Sequence, residues 1–222
     1  MQEIIETTMI GLFFGTFGTT IGGIIGVVTK KHSKKFLSFV LAFASGLMMA
    51  IICFDLIPEA LDISNLISAI LGILLGIVMM IFCDKLVEKK FTIKETNVSK
   101  SNTLLKTGII VSIGLAIHNF PEGLAIGSGF GASIKLGLSL AIAICLHDIP
   151  EGISMAIPMK NGGMKKSKAI FLVIMSGITT GIGAFVGAII GGISEEVIAI
   201  CLSFAAGAML YIISRRINSR SK

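Results

Sequence analysis

His118-Asn119-Phe120-Pro121-Glu122-Gly123 and His147-Asp148-Ile149-Pro150-Glu151-Gly152 are near-copies of one phrase, 29 residues apart, each set inside a strongly apolar run. A histidine, a proline and a carboxylate therefore recur where lipid-soluble residues should dominate. Ionisable side chains at membrane depth are costly and mark function by default. On a helix, residues four apart share a face, so His118 projects with Glu122 and His147 with Glu151. Pro121 removes its own amide donor and crowds the carbonyl of Ile117, and Pro150 does the same to Leu146. A kink and a freed carbonyl are expected beside each His/Glu pair, a feature tolerated at that depth only where it is buried or lines a polar cavity.

The rest of the chain explains why membrane depth is the right frame. Of 222 residues, 54% are hydrophobic and only 14% charged, with a mean hydropathy of +0.93, which excludes an ordinary soluble domain. Crossing the hydrocarbon core takes about 20 largely apolar residues. Such runs lie near residues 8–28, 36–57, 64–83, 106–127, 136–158, 169–191 and 196–214, predicting an all-α, polytopic bundle of seven spans in a single domain over 1–222. The first run is not a signal peptide, because Met1 to Thr8 carries Glu3 and Glu6 and no basic residue. All four cysteines (Cys53, Cys83, Cys145, Cys201) fall inside spans, where they read as small hydrophobes rather than a disulfide or zinc framework. Residues 84–106, rich in Lys, Thr, Ser and Asn without a periodic apolar face, read as a mobile loop.

Eighteen of the 19 basic residues follow the first, third, fifth and seventh spans, and Lys135 is the exception. Lysines such as Lys30, Lys31, Lys94 and Lys222 therefore anchor topology rather than bind nucleic acid. Basic loops mark the cytoplasmic side, which places the amino terminus outside and the carboxyl terminus inside. Glycine pairs four apart (Gly22/Gly26, Gly72/Gly76, Gly123/Gly127, Gly183/Gly187) predict close helix packing.

His118 and His147 lie midway along the fourth and fifth spans, so an antiparallel pair brings two imidazoles and two carboxylates together at one depth. That donor set suits zinc, and also iron(II), manganese or cobalt; without thiolates it does not suit copper(I). No H-E-x-x-H metalloprotease pattern and no Ser or Cys triad occurs, so the chain does not read as an enzyme.

These residues carry a resemblance. Residues 118–127 and 147–158 resemble the fourth and fifth helices of the ZIP (Zrt/Irt-like) metal transporters, nearest the bacterial GufA-like branch. Phe54-Asp55-Leu56-Ile57-Pro58-Glu59-Ala60 and the run Phe204 to Tyr211 are similar to further family segments. The resemblance implies a bacterial plasma-membrane protein that moves zinc, and sometimes iron, manganese or cadmium, into the cytoplasm by alternating access. It implies that His118, Glu122, His147 and Glu151 form the transport site, that Asn119 and Asp148 lean toward a second metal position, and that Asp55 and Glu59 draw cations to the entrance. A homodimer is compatible with it. A proton-coupled exchanger, or a metal-binding membrane protein without transport, would use the same ligands.

Three departures stand out. Many relatives with two metals carry a bridging glutamate in helix six, where this chain has Thr180, so one well-occupied site is expected. The end of the seventh span, Ser214-Arg215-Arg216, reverses the charge of the family's acidic ending. Third, a shift of 161 residues aligns Leu41/Leu202, Phe43/Phe204, Gly46/Gly207, Thr19/Thr180, Gly22/Gly183 and Gly26/Gly187. An odd number of helices between the units makes the repeat inverted. The third span then lacks a mate, and the family's eighth helix is expected to be absent, whether by truncation, by divergence or with a partner in its place.

Overall fold

The structure, a computed structural model, describes residues 1–29, 33–91 and 100–220. Lys30, Lys31, Lys94 and Lys222 lie outside the described residues. Among these described residues eight α-helices and one π-helical turn follow in order: α1 Gln2–Val28, α2 Lys34–Ile51, the π turn Ile52–Leu56, α3 Ile57–Ile63, α4 Leu66–Phe91, α5 Lys100–Ala132, α6 Ile134–Asn161, α7 Lys166–Gly191 and α8 Glu195–Arg220. α2, the π turn and α3 run on as one span, so among the described residues seven helical units are long and apolar enough to cross a membrane.

The π turn has a local cause. Pro58 has no amide to return to the preceding turn and its ring crowds the carbonyl four residues back. The Ile57 amide instead reaches the carbonyl of Ile52, widening the helix there. Under the 161-residue repeat Pro58 corresponds to Ser219, and α8 stays α-helical throughout. Pro121 and Pro150 lie inside α5 and α6 without interrupting either helix.

The reading of 84–106 as a loop is overturned over most of its length. α4 continues to Phe91 and α5 already begins at Lys100, leaving only 92–99 outside the described residues. The charges that end the apolar run bind a neighbour instead of ending the helix. The Tyr211 hydroxyl donates to Asp84 Oδ2 at 2.7 Å. Arg215 pairs with Asp84 and, at 2.7 Å, with Glu88. The basic end of the seventh span is therefore matched by carboxylates on α4.

Helix junctions are short and capped. The Asn65 side chain accepts the amides of Ile67 and Ser68, both at 3.0 Å, and Ser133 alone separates α5 from α6, accepting the amide of Leu136 at 3.1 Å. A one-residue junction folds α6 back antiparallel on α5. His118 stands ~22 Å before Ser133 and His147 ~21 Å after it at the α-helical rise per residue, so the chain fixes both at one depth.

The inverted repeat is visible in the packing. A Cβ on Gly22 of α1 would meet the Ile149 carbonyl and Gly152 of α6, and one on Gly183 of α7 would meet the Phe120 carbonyl and Gly123 of α5. Each pair maps onto the other under the 161-residue shift and the 29-residue shift together. The glycine ending each phrase is thus the point where another backbone presses in: the Thr180 carbonyl against Gly123 and the Thr19 carbonyl against Gly152. Three apolar clusters are found among the described residues, a small one joining α2 and α6 through Val40, Ile153 and Ile157 and two larger ones. One joins the second span, α5, α6 and α8 through Ile52, Leu56, Ile126, Leu140, Ile144 and Leu202. The other joins α1, α5, α6 and α7 through Val27, Leu115, Met155, Met159 and Val173, toward the lysine-rich ends. The duplicated phrase lies between them.

Candidate metal centre

His118, Asn119, Glu122, His147, Asp148, Glu151 and Thr180 are all fully buried, with 0% of their surface exposed. Glu122 is the hub. Its Oε1 lies 2.8 Å from His118 Nε2 and 2.7 Å from His147 Nε2. His118 Nε2 is 3.9 Å from Glu151 Oε1, and His147 Nε2 is 3.6 Å from Asp148 Oδ1. Donor atoms of His118, His147 and Glu151 lie within 4.8 Å of one another, as do those of Glu122, His147 and Asp148. Helices α5 and α6 thus deliver both His/Glu pairs to one point, as their spacing predicts.

The cluster is short of partners. Both oxygens of Asp148, Oε2 of Glu122 and of Glu151, Oδ1 of Asn119, Oγ1 of Thr180 and Nδ1 of both histidines are buried without a hydrogen bond. The His118 Nε2 contact with Glu122 is close but lacks hydrogen-bond alignment. Buried polar atoms are nearly always paired, and unpaired ones cost stability. Acceptors and imidazole nitrogens converging in this way could hold a metal ion. Two imidazoles with hard carboxylate oxygens make the set borderline in softness, in the range of zinc and its first-row neighbours.

Asn119 is oriented from α7. Its Nδ2 donates to the Ser176 carbonyl at 3.0 Å, turning Oδ1 free. Thr179 donates to the Ala116 carbonyl at 2.7 Å, tying α7 to α5 one turn before Phe120. The sequence reading did not single out Ser176 and Thr179 for these roles. The only signal was that Ser176 lies a turn before Thr180 and Thr179 directly precedes it. Thr180 shares the buried setting but has no hydroxyl partner, whereas its mate Thr19 donates to the Gly15 carbonyl at 2.8 Å.

Asp55 and Glu59 stand apart from the ligand groups. Both are half-buried on the second span, Asp55 within the π turn, where Ser139 of α6 lies beside it. Ser139 precedes His147 by two turns, ~12 Å along the helix, so the structure places Asp55 above the cluster rather than in it.

Comparison with known proteins adds to this geometry. Residues 88–215, more than half of the chain, match the family described as ZIP zinc transporter. The chain belongs to that family. The zinc transporter ZupT of Corynebacterium glutamicum is 29% identical over 217 residues, covering 90% of this chain and 82% of its own. ZupT proteins of Salmonella paratyphi A and Salmonella newport are each 31% identical over 200 residues, covering 86% of this chain and 77% of theirs. This ZIP chain, with its seven apolar spans, is an integral membrane protein.

Proposed function

We propose that this protein transports zinc across a bacterial plasma membrane into the cytoplasm, holding the ion at His118, Glu122, His147 and Glu151, and that it is not an enzyme. The observation that carries the reading is the fully buried, under-partnered cluster of two imidazoles and three carboxylates on α5 and α6. Sealed between two apolar clusters, it can exchange an ion with either side only if helices move, which is alternating access. Asn119 and Asp148 extend the site toward α7 and α1, and Asp55 and Glu59 concentrate cations at its outer approach. The lysines after the first, third, fifth and seventh spans put those ends in the cytoplasm and the amino terminus outside. Zinc is the cargo that the names of the relatives support.

The reading is tested by flux into proteoliposomes with a panel of zinc, iron(II), manganese, cobalt and cadmium. Zinc-dependent accumulation is expected, and its absence with every ion overturns transport. Acid should weaken it. Metal binding requires neutral imidazoles and ionised carboxylates, so protons compete as pH falls and zinc uptake declines on the acid side. Uptake that rises steadily with acidity would instead favour proton-driven movement.

Thr180 sets the stoichiometry in this reading. Thr180→Glu adds a carboxylate at a fully buried position of α7, the helix to which Asn119 is hydrogen-bonded, so zinc bound per chain in equilibrium dialysis should rise from one toward two. An unchanged ratio contradicts the assignment of this position.

A further inference from the structure

We propose that Met155 and Met159 form a thioether relay through which the ion leaves the His/Glu cluster toward the lysine-rich end of the bundle, and that this relay favours soft divalent ions over hard ones. The inference rests on the transport reading above and adds a step to it.

His147, Glu151, Met155 and Met159 follow one another at intervals of four, so they form one ridge that winds along α6, each stacked on the one before it. Met155 stands ~6 Å and Met159 ~12 Å beyond Glu151 along the axis. Both methionines are fully buried, and they form the part of the apolar cluster that closes this side of the ligand centre, with Leu115 of α5, Val27 of α1 and Val173 of α7. Met155 and Met159 are thus the buried sulfur-bearing side chains of that cluster, one and two turns beyond Glu151 toward the lysine-rich end.

The opposite seal differs. Toward Ser133, α5 and α6 contribute Ala125, Ile126, Leu136, Leu140, Ala141 and Ile144 to the apolar cluster, and the buried donor atoms they add there are the Ser128 hydroxyl and the Cys145 thiol, with no thioether. The methionines of that cluster, Met48 and Met209, belong to α2 and α8. On the two helices that carry the ligands, then, thioether sulfur occurs on one side of the centre only, although the Cys145 thiol lies on the other.

The surroundings of Met159 also suit an ion better than plain core packing requires. The Ser112 hydroxyl, buried on α5, donates to the Gly108 carbonyl at 2.8 Å and lies 3.7 Å from Met159 Sδ. Gly108 itself faces Met159, and a Cβ there would run into its side chain and backbone. A hydroxyl and a thioether sulfur therefore sit together in an otherwise apolar layer. Methionine is flexible and polarisable, able to swing without leaving a rigid void. Thioethers bind soft ions and offer little to manganese, which prefers oxygen. Steps of one helical turn from carboxylate to sulfur to sulfur would shuttle zinc or cadmium without returning it to bulk water.

The test is flux of zinc, cadmium and manganese into proteoliposomes by the wild-type chain and by Met155→Leu/Met159→Leu, which nearly conserves volume while removing both sulfurs. Single Met159→Leu serves as a milder variant should the double one assemble poorly. The relay predicts that manganese flux stays within about twofold of wild type while cadmium flux falls about tenfold, so the cadmium-to-manganese ratio drops by that factor. Equilibrium cadmium binding at the His/Glu centre should be unchanged. A ratio within twofold of wild type in the Leu variants, with wild-type flux intact, overturns the relay and leaves the transport reading standing. A wild-type chain that moves no ion overturns the transport reading itself, and the relay with it.

Discussion

Glu122→Ala should lower zinc uptake at least ~100-fold, the upper end of what losing even an outer partner of a metal ligand costs. Glu122 approaches both imidazoles more closely than Glu151 does, at 2.8 Å and 2.7 Å. Its removal takes one negative charge and the shared oxygen from the centre at once. In a dry interior those electrostatic terms are large, because no water replaces the missing ligand. The backbone contacts of Gly123 with α7 remain, so the variant should reach the membrane in normal amount. Glu122→Gln, which keeps the shape and one oxygen, should fall between the two. Uptake of radioactive zinc by cells, normalised to protein in the membrane, makes the measurement. Near-wild-type uptake by Glu122→Ala would remove this residue from the site.

Gly123→Val should cost about 3 kcal/mol of stability, the upper part of the range for overpacking a core, seen as a thermal midpoint ~10 °C lower in detergent. A Cβ at Gly123 meets the Thr180 carbonyl and the Ala184 amide of α7. Backbone atoms cannot swing aside as a side-chain tip can, so α5 and α7 must separate. The separation would also pull Ser176 from Asn119 and Thr179 from the Ala116 carbonyl, so zinc uptake should fall with stability. Gly152→Val, against the Thr19 carbonyl of α1, should behave as its mirror. Gly114→Ala on the same α5 is the control, since nothing lies within 4 Å of an added Cβ there. Its midpoint should hold or rise slightly. A Gly123→Val protein as stable as wild type would contradict the close approach.

Much of this architecture is legible in the sequence because lipid enforces simple rules. Apolar length marks the spans, and the spacing of four in each phrase places His118 with Glu122 and His147 with Glu151 before any fold is known. The single Ser133 between two long helices explains why both pairs share a depth. Where the reading failed, at 84–106, polarity signalled the exit from the membrane and was mistaken for the end of the helix. What holds α4 together beyond that point is Tyr211 and Arg215, 127 residues away from Asp84 and Glu88 respectively, and no local pattern records such pairing. The π turn at Ile52–Leu56 is foreshadowed by Pro58, but a proline alone does not say whether a helix kinks, breaks or widens; Pro121 and Pro150 sit in helices that stay continuous. The orientation of Asn119 by Ser176 depends on the rotation of α7, which the glycine contacts fix in three dimensions. Met155 and Met159 stand in plain view at the same spacing as the ligands, yet scattered methionine in an apolar chain reads as filler until its burial and its neighbours are known.

Zinc K-edge X-ray absorption of the purified, zinc-loaded protein tests the central claim most directly. The cluster predicts a first shell of nitrogen and oxygen at about 2.0–2.1 Å, with the outer-shell scattering of two imidazoles that falls to one in His147→Ala. A sulfur shell near 2.3 Å, or a spectrum unaltered in both His118→Ala and His147→Ala, would place the zinc elsewhere.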